Sequence, residues 1–388
     1  MNKVVVLGGD HHNALGLARV FGINGIKPYG IITTVSKKEK ENFCHLSKYW
    51  EKTWFAISEE EALDVLKREF SNEKEKPVLV PSSDGMAFAI DTRYDELSGC
   101  FVLPGINQTP GEIARLMDKK NQSEWAQKIG IRTAKTWCLD LSDEHTSIYS
   151  NTVYPCVLKP VVSAEGHKTD IRKCDSIDEL RKQIALFKKK GYHRILVQEF
   201  LNKDYEAELF GCIAEHTTRI PYLFSKHVRE WPTIGGTVSF HQFIEDKVLI
   251  NQAEFFLKQI RDYGYRGNID IELFVINGEL ILNEVNFRNS GDVYACIKHN
   301  VHYPVFSYYD MICKDTSHFN IKYSSDYYAM DEATDLRHVV YGSLSLKEWL
   351  KYRSKCSDYA YWFKGDMKPV WRKYKYLLKK YLQEDVVK

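Results

Sequence analysis

What this chain of 388 residues lacks narrows it first. None of its nine cysteines forms a C-x-x-C pair, and an odd, scattered set argues for reduced thiols rather than a disulfide framework. The thirteen histidines include no H-E-x-x-H and no Cys/His set at zinc-finger spacing, which removes the two common zinc signatures. Net charge is nearly absent. Lys+Arg 54 against Asp+Glu 52 leaves +2, whereas binding nucleic acid calls for a clustered positive face. No uninterrupted apolar run reaches the ~18–20 residues of a membrane helix. The apolar start Val4–Leu7 is too short for a signal peptide, so a cytosolic protein is expected. Neither G-x-G-x-x-G nor G-x-x-x-x-G-K-[ST] occurs, so neither familiar nucleotide fingerprint applies. What is present is 44% hydrophobic residues, enough for sizeable cores. At roughly 100–200 residues per domain the length suggests two to four domains.

The first hundred residues alternate strand and helix. An apolar strand at Lys3–Leu7, a Gly8-Gly9-Asp10 turn and a helix from Asn13 to about Gly22 make a β-α unit. A strand at Pro28–Thr33, a helix at Glu59–Phe70, a strand at Pro77–Pro81 and a helix from about Asp84 continue it, which predicts an open parallel sheet. From Thr109 the texture changes to α+β. A helix is predicted over Pro110–Gly130, then strands at Cys156–Lys159 and Ile195–Phe200 separated by the helix Ser176–Lys190. Strands at Tyr205–Ala214 and Pro221–Phe224, a helix at Val248–Tyr263 and two strands around Asn277-Gly278 follow. The expected division is an α/β domain over 1–108, a two-part domain over 109–316 with a lid over about 109–197 and an acidic-hairpin part over about 198–316, and an accessory C-terminal section over 317–388.

Chemistry concentrates in the last two strands. Asn268–Ile276 and Glu279–Asn286 flank an Asn-Gly turn, a firm hairpin signature. With a two-residue turn, Ile276 pairs with Glu279 and Glu272 and Glu284 fall on opposite faces, because side chains alternate with period two. A three-residue loop pairs Val275 with Glu279 and puts Asp270, Glu272, Glu284 and Asn286 on one face. Carboxylates among Ile, Leu, Phe and Val are costly to bury without cations. Magnesium favours oxygen ligands, so Glu272, Glu284 and Asn286 are a candidate ligand set, with room for two ions. The plain alternative is a half-exposed hairpin whose acids face water.

Several further motifs stand in order: Val80–Asp84, Asp118-Lys119 before Gly130-Ile131, Leu158-Lys159-Pro160, Gln198–Leu201, Arg229 through Gly236, Ile271-Glu272 and Asn283–Arg288. This series resembles the ATP-grasp superfamily, its carboxylate–amine ligases and most of all a D-aspartate-ligase-like branch, over about residues 3–305. The resemblance implies ATP and Mg²⁺ as cofactors, with Mn²⁺ able to substitute, and small-molecule carboxylate and amine substrates joined through an acyl phosphate. It implies that Lys119 and Lys159 reach the phosphates. The loop Val161–His167 would cover them through Ser163, Glu165 and Gly166, although it carries one glycine where the family is glycine-rich. Gln198, Glu199, Phe200 and Leu201 would read adenine, Asp204 or Glu206 the ribose, and Arg229 and Arg288 the transferring phosphoryl group. Guanidinium forks suit that last task. Other readings stay open: Lys119 as a solvated helix lysine, Gln198–Leu201 as an ordinary strand, Asp204 or Glu206 as surface acids, Asp84 as a helix cap. A phosphotransferase or a nucleotide-binding sensor would fit the same motifs. Lys226 and His241 flank the Arg229 segment.

Between Lys364 and Lys388 eight Lys/Arg and three Asp/Glu interleave with Trp371, Tyr374, Tyr376 and Leu377. This composition suits either an anionic membrane surface or a helix packed by its aromatic face on its own protein; the second is expected.

Overall fold

The computed structural model describes residues 1–142, 152–160, 171–233, 236–322 and 327–383. The predicted phosphate loop, with Ser163, Glu165 and Gly166, lies outside the described residues.

Apolar β-branched runs build the first unit. Strands β1 (Val4–Gly9), β2 (Tyr29–Thr33), β3 (Lys52–Ala56) and β4 (Val78–Pro81) form an all-parallel sheet in the order β3-β2-β1-β4. Val4 and Val6 pack toward the helix His12–Ile23, while Val5 and Leu7 pack toward Glu59–Phe70 and Asp84–Thr92. A central strand covered on both faces reads as an unbroken apolar run, which is what β1 is. The edge strand β3, half-exposed and without such a run, was not anticipated.

The expected helix over Pro110–Gly130 is two helices, Glu112–Leu116 and Lys119–Lys128. The Asp118 carboxylate accepts hydrogen bonds from the Lys120 and Asn121 amides, both at 3.0 Å, and so begins a new helix at Lys119. Ile113, Leu116 and Trp125 from this pair join Leu209, Ile271 and Val285 in the core beneath the large sheet. Residues 109–131 thus belong with that sheet and not with the lid to which they were assigned. The lid itself is an antiparallel sheet of β6 (Thr136–Asp140), β7 (Cys156–Pro160), β8 (Arg172–Cys174) and β9 (Arg194–Glu199) in the order β6-β9-β7-β8. With the helix Ile177–Lys189 it closes its own core through Leu158, Leu180, Phe187 and Val197.

The large sheet runs β14-β13-β10-β11-β12-β15-β16, and β5 (Gly105–Ile106) adds to β13. Its strands are β10 (Tyr205–Ile213), β11 (Tyr222–Trp231), β12 (Thr237–Phe243), β13 (Tyr265–Ile276), β14 (Glu279–Asn286), β15 (Tyr328–Met330) and β16 (Asp358–Tyr359). Two of them come from the segment expected to be accessory. Residues 327–383 extend the large sheet and then return to the first unit. Buried Arg19 donates from Nε to Asp366 at 2.9 Å, and Arg372 donates to the Glu39 carbonyl at 3.0 Å. In the helix Met367–Gln383, Val370 and Leu377 are buried and Lys368, Lys375 and Lys379 are exposed; Trp371, Tyr376 and Leu378 also face outward. Among the described residues no helix is long and apolar enough to cross a membrane.

Candidate active site

The site is assembled on the face of the large sheet toward the lid, and the hairpin register creates it. Asn277 and Gly278, at φ +50° and +75°, make a two-residue turn that pairs Ile276 with Glu279. By alternation alone this would separate Glu272 from Glu284. A β-bulge at Asn283 inserts one residue in β14, so Leu273 pairs with Leu282 while Glu272 pairs with Glu284 and Asp270 with Asn286. The acids share one face, as a three-residue loop would have made them do, but by a different device. Asn283 Nδ2 donates to Glu272 Oε2 at 3.1 Å, so the residue whose bulge re-aims Glu284 also steadies the carboxylate opposite.

Two cations descend on these acids. Lys119 Nζ stands 3.3 Å from Glu284 Oε2. The position is set by Gln122, one turn along the same helix: its buried amide donates to the Val285 carbonyl at 2.8 Å and accepts from the Val285 amide at 2.8 Å. This clamps the start of the helix to β14. Lys159, at the end of β7, approaches from the lid; burial and the neighbouring Lys119 push its pKa down to about 8, against the pull of Glu284 and Glu272. Burial, then Glu284 and Glu208, raise the Glu272 carboxyl. Burial and Glu208 hold Asp270 well above the usual carboxylate range.

Arg288 closes the end of the row. It donates through Nε to Asp84 at 2.9 Å and through Nη1 to Asp270. Burial works against its charge, but Asp84 and Asp270 keep it firmly protonated. Asp84 therefore does not cap its helix; Ser83 does, accepting from the Met86 amide at 3.3 Å. The same end of β14 is tied to the first unit by reciprocal amides: Asn13 donates to the Asn289 carbonyl at 2.8 Å, and Asn289 donates to Asn13 Oδ1 at 2.6 Å.

Other predicted residues are placed elsewhere. Arg229 forms a bidentate pair with fully buried Asp335, at 3.0 and 2.7 Å, and lies between the rings of Phe240 and Tyr352. The structure does not bring it to the acids, because the bulge at the β11–β12 ladder turns it toward the C-terminal segment. Asp204 accepts from the Asn277 amide at 2.7 Å and so holds the hairpin turn, leaving Glu206 as the acid that lies on the site's face, beside Lys203 and His227. Gln198 donates to Thr136 Oγ1 at 3.0 Å, the Glu199 and Phe200 amides donate to the Lys135 and Pro155 carbonyls, and Leu201 follows at the junction between lid and large sheet.

Three residues of the site floor went unread or unplaced. Glu208 on β10 lies opposite Glu272, takes a hydrogen bond from Ser290 at 2.9 Å, and is flanked by His227 on β11 and His241 on β12. Burial disfavours the charge of His227, but Glu208 and Glu230 outweigh it and hold the ring up at about 9. They sit on three strands, and only tertiary pairing joins them.

The residues present fit a hard divalent ion. Glu272, Glu284 and Asn286 offer oxygen donors on one face, and the buried Oδ1 of Asp270 beside them makes no hydrogen bond.

Residues 124–297 match the family model of the ATP-grasp domain. Among curated proteins, the chain is 29% identical over 222 residues to the formate-dependent phosphoribosylglycinamide formyltransferase of Methanocaldococcus jannaschii; the match covers 56% of this chain and 54% of that protein. The chain thus spans about half the length of the curated relatives it matches. Two solved structures share its fold. N5-carboxyaminoimidazole synthetase from Staphylococcus aureus superposes with a TM-score of 0.64 at 13% identity, over 90% of this chain and 88% of that one. The L-amino acid ligase from Bacillus licheniformis does so with 0.60 at 14% identity, over 84% and 78%.

Proposed function

We propose that this chain, whose residues 124–297 match the ATP-grasp domain, is an ATP-dependent carboxylate–amine ligase acting on amino acids or small peptides. The observation that carries the reading is the convergence of Lys119 and Lys159 on Glu272 and Glu284, with Arg288 at the end of the same row. Such a row positions a triphosphate and neutralises its charge, which is most of what phosphoryl transfer asks of a protein.

In the first step a carboxylate oxygen attacks the γ-phosphorus, the β–γ bridging P–O bond breaks, and ADP leaves with that electron pair. In the second, an amine nitrogen attacks the acyl carbon, the C–O bond to phosphate breaks, and the nitrogen gives up a proton. Lys119 and Lys159 hold the phosphates, Arg288 the substrate carboxylate or the phosphoryl oxygens, and Glu272, Glu284 and Asn286 the metal. When bound there, Mg²⁺ supplies charge neutralisation across the phosphate oxygens. Gln198–Leu201 provides the adenine end, with Glu206 the ribose partner. An acyl phosphate exposed to water hydrolyses, which gives a closing lid its purpose. ADP release that depends on both a carboxylate and an amine, with a product whose mass is their sum less one water, is the expected outcome. A phosphorylated product without an amide would overturn the ligase reading and support a phosphotransferase instead.

A further inference from the structure

We propose that Glu208, His227 and His241 form a second divalent-cation site, nitrogen-rich and of zinc type, beside the magnesium carboxylates. One donor atom from each of the three lies within 4.8 Å of the other two. They come from three adjacent strands, and the ladder sets them side by side: His227 pairs with His241, and Glu208 pairs with Ser225, two residues before His227.

The hydrogen bonds at the back of each ring decide which nitrogen is offered. His227 Nδ1 is 3.1 Å from Glu230 Oε1, and a carboxylate there can only accept, so the proton sits on Nδ1. His241 Nδ1 is 3.1 Å from Ser225 Oγ, which can accept in the same way. An imidazole whose Nδ1–H is bound to a second group is oriented to give Nε2 to a metal, and on His227 the ion takes the place of the Nε2 proton that faces Glu208. Both Nε2 atoms are buried and make no hydrogen bond, on side chains only 9% and 0% exposed. Each faces a carboxylate oxygen without a well-formed hydrogen bond, which is costly for a buried nitrogen, and a cation between them removes the cost. His227 Nε2 is 3.6 Å from Glu208 Oε2, too long for a good hydrogen bond and suited to an ion between them. Asp292 Oδ1 stands 3.1 Å from His241 Nε2 outside hydrogen-bonding geometry and offers a further oxygen. Two imidazoles and a carboxylate are a zinc-type set, whereas magnesium takes oxygens.

The site stands apart from the ligase reading and is tested without turnover. Full-length protein stripped with EDTA is titrated with Co²⁺ and followed by visible absorption. One equivalent should give the intense band of a low-coordinate nitrogen site, displaced by Zn²⁺ and unaffected by excess Mg²⁺. His227→Ala should weaken Co²⁺ binding by at least ~10-fold, while Glu272→Gln combined with Glu284→Gln should keep the band. If His227→Ala fails to fold by circular dichroism, Glu208→Gln takes its place with the same expectation. Absence of the band in the unsubstituted protein, or its persistence at full strength in the folded variant, would overturn the proposal.

Discussion

At the β13–β14 end of the large sheet Asp270, Glu272 and Glu284 crowd around Lys119, Lys159 and Arg288; near the β11–β12 end Arg229 meets Asp335 alone. Both regions bury arginine against carboxylate, yet they are built oppositely. The Arg229 pair is closed: two parallel hydrogen bonds satisfy the fork, Ser239 donates to the same Asp335 oxygen at 2.7 Å, and two rings cover the guanidinium. In the acid row the pairings are incomplete. Asp270 keeps a buried oxygen unbonded, and Glu272 is raised by burial and then by the carboxylates beside it. A closed pair stabilises the fold, while an open row is held by the fold and completed by a ligand. Charge alone does not distinguish a functional site; unfinished charge gathered with cations on one face does.

Removing one partner of the closed pair should cost the fold more than any change in the open row. Asp335→Ala strands Arg229 in a buried setting, and about 3–5 kcal/mol of stability should be lost, read from urea denaturation. Arg229→Met with Asp335→Leu, which leaves no buried charge, should recover much of it. If Asp335→Ala costs nothing, the pair is not the structural element described. Glu284→Gln should do the reverse. Turnover of Mg-ATP should fall by about 10²-fold or more, as for loss of a group that stabilises transferring charge, while the melting temperature stays level or rises as repulsion with Glu272 is relieved. Near-normal turnover would remove Glu284 from the metal set.

Gln122→Ala tests how the open row is held. Losing its bonds to Val285 leaves buried backbone groups unpaired at about 1–3 kcal/mol, and with the helix start loosened Lys119 should lose its place. The KM for ATP should then rise more than kcat falls. A stability loss with KM unchanged would mean that Lys119 is positioned by something other than this clamp.

How much of this could be read from the residues follows the range of the forces involved. The parallel sheet, the helix Glu59–Phe70 and the hairpin are local patterns, and they were legible. The one-face placement of Glu272 and Glu284 was one of two open alternatives, tied there to a three-residue loop; the turn is the two-residue one, and a bulge at Asn283 restores the face. No rule of alternation announces a bulge. Asp118 was visible as a residue but not as a cap, because a run of helix formers on both sides hides a break. Arg229 looked like its motif, and its partner lies 106 residues away on a segment taken for accessory. Glu208, His227 and His241 become a cluster only through strand pairing. Gln122 carries no signal at all until β14 is beside it.

Asp91, two turns along the helix from Asp84, is a third kind of buried carboxyl, with no ion pair among the described residues. It is 1% exposed, one oxygen accepts from the Ala114 amide at 2.8 Å, and the other makes no hydrogen bond. Burial raises its pKa to about 6, from an ordinary value near 3.8, despite the opposing hydrogen bonds from Ala114 and Ile113. The folded protein therefore binds this proton more tightly than the unfolded chain, so the stabilisation is complete below the unfolded value and is lost as pH rises through about 6. Asp91→Asn keeps an oxygen for Ala114 and carries no charge. It should be more stable than the unsubstituted protein at pH 7.5, with the gain shrinking as pH falls through 6 toward 4, in thermal melts at matched ionic strength. A gain that does not change with pH would mean that the carboxyl stays ionised in the fold, and a lone buried acid would then be as tolerable as a closed pair.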